Sequence, residues 1–155
     1  MSLPSGFNIE KPDNEIRELV INLNQIPGVA TDTTCEGHVW YEFPEWPTKD
    51  GWIHFSTSKG ENKDLVELVK SFCSKSGYFK LEGPKELGET SSFTIIALYE
   101  PHHDEKCENL FAKWSRQQQQ DYFRRAEDRR EQHAQGWKEL NELVIDYIKE
   151  KALLD

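Results

Sequence analysis

The chain has 155 residues, a net charge of −9 and 30% charged residues, yet its aromatic share is 12%. That length suits one domain able to bury roughly 68–70% of the surface its unfolded chain exposes, with five Trp, five Tyr and eight Phe to fill the core. The acidic balance excludes a general electrostatic pull toward nucleic acid. No apolar run approaches the about 18 residues of a membrane span, and three cysteines at 35, 73 and 107 make no disulfide framework.

Residues 1–12 read as a loose tail. The opening Met1-Ser2-Leu3-Pro4-Ser5-Gly6 lacks the basic-then-apolar order of a secretory signal, so a cytoplasmic protein without a membrane partner is expected. From Asp13, the recurrence of Ile16, Leu19, Val20 and Leu23 predicts a helix that Asp13 or Asn14 caps and Pro27-Gly28 stops. The segment Thr31-Asp32-Thr33-Thr34-Cys35-Glu36-Gly37-His38 then reads as a loop leading into a strand. Alternation predicts strands over 38–43 and 51–56, paired as a hairpin around Pro47. A helix follows over Asn62–Ser74, burying Leu65, Leu68, Val69, Phe72 and Cys73 and ending at Gly77. Two strands, Tyr78–Glu82 and Ser92–Tyr99, flank a Pro/Gly-containing loop.

Beyond Pro101 the pattern turns helical, with a break expected at Gly136. Cys107, Leu110, Phe111 and Trp114 form one apolar face, and Trp137, Leu140, Leu143, Val144, Tyr147 and Ile148 another. Five of the six arginines fall between 116 and 130, interleaved with acids at helical pairing distance. Asp121/Arg124 and Arg125/Asp128 are examples, which favours a solvated, salt-bridged face over an RNA-contacting stripe. The sum is one α+β domain over 1–155, with a tail at 1–12, an α/β part at 13–102 and C-terminal helices at 103–155. Its sheet is mixed or antiparallel, of four to five strands, with packed helices and a C-terminal helical pair.

The densest chemistry lies at 31–38, with three hydroxyls, two carboxylates, a thiol, an imidazole and a glycine in eight positions. With the hairpin paired about Pro47, His38, Trp40 and Glu42 share a face with Ser56, His54 and Trp52. Indole and imidazole faces on one surface can stack a planar ligand such as a base, although the indoles could equally pack beneath the C-terminal helices. Cys35 and His38 allow three chemistries. Cys-x2-His could supply two zinc ligands, with His54 or His102-His103-Asp104-Glu105 adding others, but no second Cys/His pair stands at standard spacing. Cys35 could be a thiolate with an imidazole base. Alternatively, Thr31, Thr33, Thr34, Gly37 and His38 could hold an anionic or nucleotide-like ligand. A polar turn capping a strand would need the same residues. Cys73 and Cys107 sit on apolar stripes and read as core.

Helix, then Thr31-Asp32-Thr33-Thr34-Cys35-Glu36-Gly37-His38, then Gly51-Trp52-Ile53-His54-Phe55-Ser56, then a helix and two strands, resembles the wybutosine-synthesis methyltransferases that modify a guanosine-derived base in tRNA. Thr31, Cys35 and Gly37 match the Thr-Thr-Ser-Ser-Cys-Ser-Gly-Arg-like motif of that family, with Thr33 and Thr34 as hydroxyl stand-ins for serine. Asp32, Glu36 and His38 depart from it. The resemblance spans at most residues 14–99 and implies S-adenosylmethionine-dependent transfer to an RNA base, with the Cys35 loop lining the site.

The expectation is therefore an RNA- or nucleotide-modifying enzyme. Its catalytic candidates are Cys35, His38 and His54, and its ligand-binding candidates Thr31, Thr33, Thr34, Gly37, Trp40 and Trp52. One alternative is a non-catalytic binding or assembly module, such as a homo-oligomer joined through its C-terminal helices. Another is a zinc protein using Cys35 and His38.

Overall fold

The computed structural model describes residues 16–35, 37–39, 48–99 and 113–154. Ile16, Leu19, Val20 and Leu23 are buried along one face of α1 (Arg17–Gln25), as their spacing predicts, and the chain turns out of it at Ile26–Gly28. A left-handed Gly28 (φ +83°) leads directly into β1 (Val29–Cys35). Two short strands, β2 (His38–Val39) and β3 (Thr48–Lys49), pair with each other, and β4 (Gly51–Ser58) follows. Then come α2 (Lys63–Ser76), β5 (Phe79–Leu87), β6 (Thr90–Ala97) and α3 (Arg116–Leu154).

The main sheet has four antiparallel strands in the order β1-β4-β6-β5. The α+β class and antiparallel sheet are as the pattern predicts. Its inner face carries Ile53 and Phe55 of β4, Phe93, Ile95 and Ala97 of β6, and Phe79 of β5. These share one core with Leu19, Val20 and Leu23 of α1, Leu65, Val69, Phe72 and Cys73 of α2, and Trp137, Leu140, Val144 and Tyr147 of α3. Helices α1, α2 and α3 thus cover one side of the sheet. Strict alternation in β4, buried then half-buried along its length, leaves Trp52, His54, Ser56 and Ser58 on the other side.

Two expectations at the first edge of the sheet are corrected. Residues 31–35 are strand, not loop: their threonines are β-branched residues that suit an edge strand with one wet side. β4 consequently pairs with β1 and β6, and the hairpin that set 38, 40 and 42 against 56, 54 and 52 does not form; Cys35 stands opposite Trp52 instead. Of the first expected strand, His38–Val39 is strand and pairs with Thr48–Lys49, and residues 40–43 lie outside the described residues.

The Pro/Gly loop expected over 83–91 is mostly ladder. The pairing shifts register between Glu82 and Lys85 around a cis Gly83–Pro84 bond and resumes to Leu87. Gly83 is required there, since at φ +117° a Cβ would lie 2.7 Å from the Ser92 carbonyl oxygen.

No break occurs at Gly136, so the C-terminal part has no helical pair hinged there. α3 runs 39 residues without interruption, roughly 58 Å at 1.5 Å per residue. The glycine is needed for packing: a Cβ at 136 would stand 2.4 Å from Cε2 of Phe79, whose ring fills that notch and meets Trp137 edge-on at 4.9 Å. The expected face at Cys107, Leu110 and Phe111, the predicted caps Asp13 and Asn14, and the 102–105 cluster lie outside the described residues.

Polar clasps fix α3 further. Asn22 of α1 donates to Asn141 Oδ1 at 2.8 Å, and Asp64 of α2 accepts the Tyr147 hydroxyl at 2.9 Å while pairing with Lys151. Nearer its start, Tyr122 and Ala126 form a second small cluster with Tyr99, and Trp114 and Phe123 pack against it.

Candidate functional site

A bulge in β1 builds the site. Thr31 stands opposite Phe55 and Thr34 opposite Ile53, so Asp32 and Thr33 together face the single residue His54. Inserting two residues against one turns both side chains toward the outer face. Asp32 Oδ1 accepts the Nδ1–H of His54 at 2.5 Å and the backbone N–H of Thr33 at 2.7 Å. Thr33 Oγ1 in turn accepts the indole N–H of Trp52 at 3.4 Å. An ionised carboxylate can only accept, so Nδ1 carries the hydrogen, and in the neutral form of the ring Nε2 presents the lone pair. The His54 side chain is 29% exposed and that of Asp32 63%, so the pair is open to a ligand and only weakly stabilising.

The neighbouring strands extend this surface. Across β6, Ile96 pairs with Trp52, Thr94 with His54 and Ser92 with Ser56. Across β5, Lys80 pairs with Ile96 and Glu82 with Thr94; Lys80 Nζ and Glu82 Oε1 form a 3.0 Å ion pair. An apolar patch at Trp52–Ile96 therefore adjoins a polar row at His54–Thr94.

Of the sequence candidates, the fold brings together His54, Trp52 and Thr33, with Asp32 added. It separates the others. Thr31 is tied to α1 by a reciprocal pair of bonds, Asn24 Nδ2 to its Oγ1 at 2.8 Å and its N–H to Asn24 Oδ1 at 2.9 Å. Thr34 is buried on the core side, its hydroxyl without a hydrogen-bond partner. Cys35 is 0% exposed, and its Sγ accepts the N–H of Gly37 at 3.4 Å, a role in closing the strand end. Gly37 adopts φ +93° to make that turn. Trp40 and the side chain of His38 lie outside the described residues.

Asp32 is the residue that sequence reasoning missed as a partner of His54. The two are 22 positions apart, and only the bulge brings them into line. The polar run at 31–34 was the available signal. Among the described residues no group of three or more His, Cys, Asp and Glu is placed to hold a metal ion, and no helix is long and apolar enough to cross a membrane.

A second titratable group was not singled out by its sequence. His133 of α3 is 1% exposed, and its ring lies 4.7 Å from that of Tyr99 and 5.6 Å from that of Phe79. Its Nε2–H donates to the Leu98 carbonyl at 2.8 Å, while Nδ1 has no hydrogen-bond partner. Burial, reinforced by nearby Arg129, lowers its pKa to about 4, so it is neutral at pH 7. Arg129 itself lies over the Tyr78 ring at 4.9 Å and Arg124 pairs with Asp121 at 3.2 Å, so two of the five arginines of the stretch are engaged within the chain. No protein-family model, curated protein or solved structure matches this chain.

Proposed function

We propose that the chain is a nucleotide- or RNA-modifying enzyme whose proton-transfer group is His54, oriented by Asp32 on the open face of the sheet. The 2.5 Å Nδ1–Oδ1 contact carries this reading. A carboxylate fixing one imidazole nitrogen leaves the other as a directed base, the arrangement used for proton abstraction. A planar base stacks on Trp52 beside Ile96 and presents an N–H or O–H to Nε2. As the deprotonated atom attacks its electrophile the proton passes to Nε2, Asp32 stabilises the imidazolium, and Nε2 then releases the proton to solvent to regenerate the base. S-adenosylmethionine, which the family resemblance implies as methyl donor, belongs among the ligands to test, as does zinc.

The assembly reading has less support. Trp137, Leu140, Val144 and Tyr147 of the C-terminal stripe are spent in the core. Leu143 remains 40% exposed.

The test is a thermal-shift and titration series of wild type and His54→Gln against nucleoside monophosphates, S-adenosylmethionine, tRNA and zinc. A ligand at a hundredfold excess over its Kd stabilises by about 2.7 kcal/mol. Loss of a nucleotide or tRNA shift in His54→Gln is the expected result, and in a turnover assay that variant falls by about 10²–10⁴. Absence of any such shift, or equal binding by the variant, rejects the reading.

A further inference from the structure

We infer that Thr94 is a ligand-positioning residue of the same site, holding the reacting group of a nucleotide-like ligand against Nε2 of His54. This inference rests on the His54 reading and adds the residue that fixes the ligand's orientation. Its basis is a row of side chains running straight across the sheet. Asp32 of β1 bonds His54 of β4, Thr94 of β6 pairs in register with His54, and Glu82 of β5 pairs in register with Thr94.

Directly opposed residues of antiparallel strands hold their Cβ atoms about 4.5–5.5 Å apart on one face. The Nδ1–H of His54 is committed to Asp32 on the β1 side, so Nε2, across the ring, faces away from β1 toward the side where Thr94 stands. Imidazole reaches further above the sheet than a threonine hydroxyl does. The two side chains therefore stand side by side on the outer face at different heights, where one ligand atom can meet both.

A hydroxyl both donates and accepts. Thr94 can hold a ring nitrogen or an exocyclic group next to the atom that His54 deprotonates. β-branching restricts its χ1 on the strand, so the hydroxyl direction is set before the ligand arrives. On its far side Glu82 is engaged by Lys80 at 3.0 Å. The apolar row Trp52–Ile96 lies one step along the strands and fixes the plane of the ligand, while Thr94 fixes its rotation within that plane.

The experiment measures Kd for AMP, GMP, CMP and UMP by calorimetry on the full chain, comparing wild type, Thr94→Val, Thr94→Ser and His54→Gln. Circular dichroism and Tm verify that each variant is folded. Valine keeps the shape and strand preference of threonine but removes the hydroxyl. Thr94→Val raises Kd about tenfold for the preferred nucleotide, the loss of one hydrogen bond to the ligand. Thr94→Ser restores Kd to within about threefold at unchanged Tm, a rescue that a purely structural role would not give. If His54→Gln weakens binding while Thr94→Val binds like wild type, the Thr94 inference is overturned and the His54 reading stands. If wild type binds none of the four nucleotides, or His54→Gln binds as tightly as wild type, both fall.

Discussion

Asp32 matters to the site through orientation more than through stability. Its contact with His54 is largely exposed, and such pairs contribute about 0.2–1 kcal/mol. Asp32→Asn should therefore shift Tm by no more than about 2–4 °C. An amide can offer its N–H to the imidazole, however, and so favours the tautomer that puts the hydrogen on Nε2. Long-range ¹H–¹⁵N spectra of His54 should show protonation moving from Nδ1 to Nε2 in the neutral ring, together with weakened nucleotide binding. An unchanged tautomer in Asp32→Asn would contradict the orienting role.

His133 makes the opposite kind of contribution. Its pKa of about 4 in the folded chain lies below the ordinary 6.5, so the unfolded chain binds the proton more readily. The stability associated with its neutral form is present above pH 6.5 and is lost as pH falls toward 4. Between pH 7 and pH 4.5 the loss amounts to roughly 2–3 kcal/mol. Urea unfolding at both pH values, for wild type and His133→Phe, measures it. The phenylalanine variant should lose less stability on acidification by about that amount, and parallel losses in both proteins would refute the assignment.

Among the elements, α3 shows how a glycine can be placed for its neighbour instead of its own backbone. In an exposed helix Gly→Ala gains about 1 kcal/mol. At 136 the added methyl would meet Phe79 at 2.4 Å, and overpacking of a filled core costs about 1–3 kcal/mol. Gly136→Ala should lower the urea midpoint, and Phe79→Leu combined with it should recover part of the loss relative to the sum of the single changes. Additive losses would mean that the ring and the notch are not coupled.

The same position explains where the sequence was legible. Helices α1 and α2 could be read directly, because Ile16, Leu19, Val20 and Leu23, then Leu65, Val69, Phe72 and Cys73, are spaced for one face and are buried as that spacing requires. The alternation of Ile53 and Phe55 against Trp52 and His54 likewise placed the right side chains on the outer face. What could not be read depended on distant partners. Gly136 has the composition of a helix end until Phe79 is seen filling it. The 31–35 run has the composition of a loop until β4 is seen beside it, and the Asp32–Thr33 bulge exists only as a mismatch between two strands.

For the molecule as a whole, the fold divides its labour by face. Among the described residues, α1, α2 and α3 seal the inner side of the sheet in one core, leaving the outer side to strands and to the His54–Asp32 pair. Charge then limits what can dock there. The chain carries −9 overall, and on the outer rows surrounding His54 the described cations are Lys80, already paired with Glu82, and Lys85, which pairs in register with Ser92. A ligand bound as proposed would be held by its base and its reacting group, with Lys80 and Lys85 alone to meet a phosphate among the described residues of these rows.

That distinction can be measured, because each neutralised phosphate of a single strand steepens the fall of log K with log salt by about 0.7. If one or two phosphates are contacted, binding of an RNA oligonucleotide should show a slope of about −0.7 to −1.4. A titration of wild type with a fluorescent single-stranded RNA oligonucleotide between low and moderate salt gives the value. A slope steeper than about −3 would require four or more phosphate contacts. Recognition would then depend on a cationic surface elsewhere, with the arginine stretch of α3 as the first place to seek it through Arg125→Ala and Arg130→Ala. A shallow slope that persists in those variants, with affinity lost in His54→Gln, places recognition of the base at the sheet.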